Sequence, residues 1–359
     1  MENKYLLNGN KKDCNGCGVC TMFCPVNAIH MQEDEEGFFY PKIDEEKCIN
    51  CGACKRICSN YNDSKLKSDV YAARVKDPIE LGNSSSGGMY YVLAKYVIKN
   101  GGEVFGVEYG ENLKVQHNHY DNLEDCKKFR GSKYCRSDLK NSYREAKKFL
   151  DKGKLVLFTG TSCQCNGLKT FLKKDYDNLI LCDVLCHANP SQKIMDLYFK
   201  EIEEYYHKKI IDVEFRAKVT GWHDQIPVII FNDGSYLNDG SYFKAFVSEL
   251  INRISCYSCA FASKNRVTDF TIGDLWGIDK ILPELKDDDK GESLLLVNSK
   301  KGKDLFEKIK DEMDYIKIEN DLPYKFNHFA NVPVNKNRDK FFKAVGEGKS
   351  VIKSMKKYR

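Results

Sequence analysis

Two hydrophobic periods alternate along most of this 359-residue chain. Short apolar runs at residues 70–75, 103–108, 154–158, 179–185, 210–215 and 228–231 have the length and β-branched content of strands. Between them, residues 89–100 and 192–205 repeat their apolar positions at helical spacing. Strand-like and helix-like runs in alternation predict an α/β domain built on a partly parallel, mixed sheet. The first sixty residues follow neither period for long and are punctuated by cysteine and glycine.

Those cysteines form an internal repeat. Cys14, Cys17, Cys20 and Cys24 recur 34 residues later as Cys48, Cys51, Cys54 and Cys58. The spacing Cys-x2-Cys-x2-Cys-x3-Cys lets three thiolates of one tight loop grip a cubane, while the fourth serves a second cubane. Cys14, Cys17, Cys20 and Cys58 are therefore assigned to one [4Fe-4S] cluster, and Cys48, Cys51, Cys54 and Cys24 to another. Pro25 follows Cys24 as the bacterial ferredoxin motif expects, whereas Ser59 stands where the second proline would be. Paired zinc ribbons are the rival reading, but this spacing is not a zinc spacing. A polar stretch at 59–68 reads as a linker. The chain thus divides into an α+β ferredoxin-like dicluster module at 1–63 and an α/β domain at 64–359.

Sixteen cysteines in a long chain with no visible secretory signal point to metal and redox chemistry rather than disulfides, and to a cytoplasmic location. The net charge of +5 divides unevenly. Residues 1–60 hold 7 Lys and Arg against 9 Asp and Glu, and the remainder 50 against 43, or −2 and +7. That division suits electrostatic docking, and no dense basic stripe of the kind duplex recognition needs is present, so nucleic acid is not expected. No apolar run reaches the roughly 18 residues of a membrane helix, so no membrane partner is expected either.

Two runs of small residues precede helices in the larger domain: residues 82–88, and Thr159-Gly160-Thr161-Ser162. Loops of this kind offer backbone N–H groups and the positive end of a helix dipole to a phosphate or pyrophosphate. Neither is a Walker loop, and each also reads as an ordinary helix cap.

Taken together, Ser84-Ser85-Ser86-Gly87-Gly88, Gly131-Ser132-Lys133-Tyr134, Thr159-Gly160-Thr161-Ser162-Cys163-Gln164, Cys186-His187, Phe215-Arg216, Gly221-Trp222, Ser255-Cys256-Tyr257-Ser258-Cys259 and Gly273-Asp274-Leu275-Trp276-Gly277 resemble the beta subunits of coenzyme F420 hydrogenases and dehydrogenases. That family also includes hydroxymethyl chlorophyll reductases. The resemblance covers essentially the whole chain and implies FAD beside a further [4Fe-4S] cluster. The flavin contacts it implies are Ser85, Ser86, Gly87, Gly88, Ser132, Lys133, Thr159, Gly160 and Thr161. For the third cluster it implies Cys163, Cys186, Cys256 and Cys259. Ser162 replaces the family's usual proline and Ala188 its glycine, and neither change removes a ligand.

Cys126, Cys135, Cys165 and Cys182 are left over, and either of Cys165 and Cys182 lies near enough in sequence to replace a ligand. His187, Arg216 and Trp222, with His223 beside it, are the candidates for catalysis or flavin contact; His187 could donate a proton near neutral pH. Two functional classes follow. One is an iron-sulfur flavoprotein oxidoreductase exchanging electrons with an external donor or acceptor, such as ferredoxin or reduced F420, and acting on a small-molecule substrate. The other is a non-catalytic electron-transfer subunit of a larger complex.

Overall fold

The computed structural model describes residues 5–58 and 67–359. In the N-terminal part the cysteine repeat is also a backbone repeat. Helices Val19–Phe23 and Ala53–Ile57 lie 34 residues apart and pack on each other. Each begins after a glycine held in the left-handed region, Gly18 at φ 72° and Gly52 at φ 67°. A residue with a Cβ is disfavoured there, which explains glycine at the same place in both copies. Between the helices, β1 (Ile29–Glu33) and β2 (Phe39–Ile43) form an antiparallel hairpin. The predicted linker at 59–68, its boundary at 64 and the Ser59 exit turn lie almost wholly outside the described residues.

The larger part is organised by an eight-stranded mixed sheet. Its strands are β3 (Asp69–Val75), β4 (Glu103–Tyr109), β5 (Val115–Tyr120), β6 (Val156–Thr161) and β7 (Leu179–Val184), then β11 (Phe270–Asp274), β12 (Ser293–Val297) and β13 (Met313–Ile318). The order is β13-β3-β12-β11-β7-β6-β4-β5. β4, β6, β7 and β11 are mutually parallel at its centre, and the strands outside them pair antiparallel. The central strands are mostly apolar along their middles because both faces are covered. Leu157 and Ile180 face the helices Met89–Lys99 and Lys300–Ile309. Phe158 and Leu181 face Ser142–Asp151, Ser162–Leu172 and the ferredoxin helix at Val19.

A smaller antiparallel sheet, β8 (Ile210–Ala217), β9 (Ile226–Phe231) and β10 (Tyr236–Asn238), stands apart from the large one. It packs with helices Gln192–Tyr206, Ser241–Val247, Arg338–Gly346 and Val351–Tyr358 into one core. Phe38 and Tyr40 of the hairpin belong to that same core. The ferredoxin module is therefore seated on the larger domain through buried side chains. Among the described residues no helix is long and apolar enough to cross a membrane.

Candidate functional site: three thiol sets and a cavity

Twelve of the cysteines lie in three groups of neighbouring thiols. Burial pushes the Cys20 thiol well above its usual range, and Cys17, Cys14 and Cys58 add to the effect. Burial likewise raises Cys54, with Cys24 and Cys48 as its thiol neighbours. The exchange of fourth cysteines between the two repeats is thus present in space. The first set lies inward, with Cys17 and Cys20 buried, while Cys51 and Ile49 of the second are exposed.

In the third group, Cys186 is raised by burial and then by Cys256, Cys163 and Cys259. Cys165 and Cys182 do not belong to it. Both are fully buried, and the Cys165 thiol donates to the Cys182 carbonyl at 3.7 Å. Cys126 sits beside Tyr90, and Cys135 faces Gln192. Among the described residues no three His, Cys, Asp or Glu side chains converge as ligands of a single metal ion.

Three segments are tied together to make the third group, and Asp183 does the tying. Its Oδ2 accepts from Ser162 Oγ at 2.5 Å and pairs with Arg266. Its Oδ1 accepts from Thr268 at 2.8 Å and Thr271 at 2.6 Å. Arg266 also donates to the carbonyls of Phe261 and Ser263, which closes the loop carrying Cys256 and Cys259. The Ser162 hydroxyl thus anchors the helix that carries Cys163. The surroundings fit a buried, sulfur-rich anion. Arg136 donates to Cys163 Sγ at 3.6 Å. One terminal nitrogen of buried Arg253 and the Ser255 hydroxyl have no hydrogen-bond partner among the described residues, and buried donors ordinarily have one.

Beside this group opens a cavity of about 470 Å³, within the usual range of ligand pockets. It lies at the C-terminal ends of parallel β6, β7 and β11, the side on which open α/β sheets bind ligands. Cys186 belongs both to its wall and to the third thiol group. Ser85, Ser86, Gly88, Ser132, Lys133, Thr159, Gly160 and Thr161 all line it. Gly87 does not. A Cβ there would meet the Ala73 carbonyl at 2.3 Å, so this glycine is required by close packing between β3 and β12. Asp274 is the only carboxylate among the lining residues, against Arg130, Lys133 and Arg216.

The two runs of small residues differ from expectation in local structure. Thr159 to Thr161 are the last residues of β6, laddered to β7, and the helix starts at Ser162 with no loop between. The Thr161 N–H is taken by Gln164 Oε1 at 3.0 Å in a capping box. This segment is therefore a strand end and not an open anion-binding loop. The Ser84–Ser86 turn does open the helix Met89–Lys99 beside the cavity, with Gly88, at φ 81°, as its cap.

Behind the walls, His117 Nε2 donates to the Thr159 carbonyl at 3.1 Å, its Nδ1 accepts from Ser137 Oγ at 2.9 Å, and burial lowers its pKa to about 4. Lys133 is buried and gives its ammonium to the carbonyls of Lys128 (3.0 Å) and Arg130 (2.6 Å), its pKa lowered by burial to about 7. Tyr134 is held at a positive φ of 37°, a conformation unusual for a bulky residue. Arg216 donates both terminal nitrogens to Asp274 (2.8 and 3.0 Å) and one to Tyr134 Oη (3.3 Å).

Of the catalytic candidates, His187 and Arg216 face the cavity. Trp222 does not: it is 1% exposed, stacks on Trp276 at 4.8 Å and donates to Asp274 at 2.9 Å, so it supports the wall from behind. His223 is exposed and paired with Asp287. No motif pointed to His328, which lines the cavity with its Nδ1 at 3.0 Å from His187 Nδ1, or to Glu249, which pairs with His187.

Glu292 buttresses the Ser84–Ser86 turn: its carbonyl accepts from Ser86 Oγ at 2.8 Å. Burial raises its carboxyl to about 7; Arg74 opposes this, while Asp288, Asp314 and Asp287 add to it. The folded chain thus keeps a proton that the unfolded chain releases above its ordinary pKa of 4.5, and stability falls as pH rises from there to 7. Glu292→Gln should therefore be more stable than the parent at pH 8, by up to about 3 kcal/mol, and indistinguishable near pH 4.5. Urea midpoints at the two pH values check this; an equal gap at both would refute it.

Fold and thiol sets together define an iron-sulfur protein of the electron-transfer class. Residues 13–60 match the 4Fe-4S dicluster domain, and residues 153–321 match the family described as the C terminus of the coenzyme F420 hydrogenase/dehydrogenase beta subunit. The larger part of the chain is thus similar to that family of beta subunits, behind a stretch similar to a dicluster domain. The chain is 21% identical over 320 residues to the F subunit of F(420)H(2) dehydrogenase from Methanosarcina mazei, spanning 84% of this chain and 83% of that protein. The B subunit of tetrathionate reductase from Archaeoglobus fulgidus is 36% identical over 83 residues, 21% of this chain and 33% of its own length. A chain of the F420-reducing [NiFe] hydrogenase complex from Methanosarcina barkeri has the same fold at a TM-score of 0.50 and 17% identity, covering 83% of this chain and 94% of that one.

Proposed function

We propose that this chain is an iron-sulfur flavoprotein oxidoreductase, with FAD in the cavity and a third [4Fe-4S] cluster on Cys163, Cys186, Cys256 and Cys259. The observation that carries the reading is that Cys186 belongs both to the cavity wall and to a four-thiol group assembled from three separate segments. When bound, a flavin links one-electron centres to two-electron chemistry. The second ferredoxin thiol set, with Cys51 at the surface, is the port for an external one-electron donor; the first set, packed inward, leads to the third.

The chain's own groups then have distinct tasks. Gly88 and the start of the helix behind it, with Arg130 and Lys133, favour an anionic pyrophosphate. Arg216, clamped by Asp274 and stacked at 5.2 Å from Trp276, fixes one wall of the cavity that would hold the flavin. His187, paired with Glu249, meets His328 at the cavity edge, Nδ1 to Nδ1 at 3.0 Å.

Heat-released supernatant should contain FAD. The sharper test is Ser85→Asp, which sets a carboxylate in the wall without disturbing Gly88, whose positive φ and closeness to Val75 make its own substitution a folding lesion. Flavin loss in Ser85→Asp with an unchanged melting curve supports the reading; parent protein that releases no flavin and takes up neither FAD nor FMN defeats it. The alternative, a non-catalytic electron-transfer subunit, is favoured by the names of the relatives, which are subunits of larger enzymes. Turnover by the isolated chain with reduced F420 or reduced ferredoxin separates the two.

A further inference from the structure

The ferredoxin module and the larger domain meet at the inner thiol set, and the contact is made by two arginines, Arg253 buried and Arg136 partly buried. Arg136 donates to the Gly16 carbonyl at 2.6 Å, inside the first cysteine loop, and to Cys163 Sγ at 3.6 Å, in the third thiol group. One guanidinium therefore touches both. Arg253, 1% exposed and three residues before Cys256, donates to the Cys14 carbonyl at 2.9 Å and to the Phe39 carbonyl at 3.1 Å. Tyr143 joins the same two places with an uncharged group, its hydroxyl lying 2.9 Å from the Cys17 carbonyl and 2.8 Å from that of Gln164.

No carboxylate forms an ion pair with Arg136 or Arg253 among the described residues, whereas the buried Arg216 and Arg266 pair with Asp274 and Asp183. Burying a charge without a partner is costly, so a negative counterpart is expected close by. The thiol sets on either side are what can supply it, and cluster potentials respond to net charge and to hydrogen bonds on sulfur.

We propose that Arg136 is a positioning residue bridging the inner ferredoxin-type centre and the third centre, and that its fixed charge raises the reduction potential of both. This rests on the third-centre reading above. Each centre gains one electron on reduction, from the external one-electron donor, and no bond forms or breaks at Arg136. Fixed positive charge in a low-dielectric contact stabilises the reduced, more negative state of whichever centre holds the electron.

The test is an EPR-monitored redox titration of the full chain with iron counted on the same samples, comparing parent, Arg136→Gln and Arg136→Lys. Arg136→Gln should make reduction of two of the three centres about tenfold less favourable, roughly 59 mV per one-electron couple, while the outer ferredoxin centre stays put. Arg136→Lys should restore most of the shift. Unchanged potentials in a fully loaded Arg136→Gln, or equal loss of iron from both variants, would overturn the proposal, since charge would then be irrelevant. Iron loss from Arg136→Gln alone would sustain it. A parent with about eight iron fails differently: it removes the third centre and the bridge with it.

Discussion

Protein purified without oxygen should carry roughly 12 iron and 12 sulfide per chain, and Cys256→Ser should lower both by about four. The expectation follows from three thiol sets, each with four cysteines, and from the way the third is built. Cys256 enters it from the turn after Arg253, with its N–H bonded to the Arg253 carbonyl at 2.9 Å, so the substitution removes a sulfur without removing a structural contact. Cys165→Ala is the matching control. That thiol faces the Cys182 carbonyl in the core, and its loss should cost stability and no iron. A parent with eight iron, or a Cys256→Ser protein that keeps all of its iron, would show that the third group is only a cluster of buried thiols.

How far the sequence could be read depended on whether the signal was local. The 34-residue repeat was legible because it is a local spacing, and the structure places Cys58 near the thiols of the first loop. Strands β4, β6 and β7 were legible because buried parallel strands read as largely apolar runs, and β3, antiparallel to both neighbours, was legible from the apolar positions of Val70–Val75. β5 was not: Val115–Tyr120 contains two histidines, a glutamine and an asparagine, and is strand only because it edges β4. β13 is another edge, with four of its six residues exposed. β11 carries a glycine and an aspartate in five residues and gains its place from β7 and β12 on either side.

The cavity followed the same rule. Its small-residue motifs could be quoted in order, yet whether Thr159–Thr161 was loop or strand depended on β7, a partner the motif does not contain. Arg136 and Arg253 had no sequence signal, since each is a single arginine whose meaning lies in a carbonyl 120 or 239 residues away. The charge division between −2 and +7 suggested docking between the two parts. What the structure adds is that the contact is buried, through Phe38, Tyr40 and the Glu36–Arg338 pair, and is not a matter of long-range attraction alone.

Asp183→Ala should be among the most damaging single substitutions outside the thiols, costing about 3–5 kcal/mol. Asp183 is fully buried, and four groups from two other segments converge on it: Ser162, and Arg266, Thr268 and Thr271. Truncation strands the Arg266 guanidinium, whose side chain is only 2% exposed, without its counter-charge, and that penalty exceeds the value of the hydrogen bonds themselves. The damage should be local in its metal signature, because Ser162 precedes Cys163 and Arg266 closes the loop of Cys256 and Cys259, whereas the ferredoxin cysteines make no use of the network. Iron should fall by about four and the urea midpoint should drop. Asp183→Ala combined with Arg266→Met should recover part of the stability, since no buried charge is then left unpaired, but should not recover the iron. A double variant no more stable than Asp183→Ala would mean that the stranded arginine is not the cause of the loss.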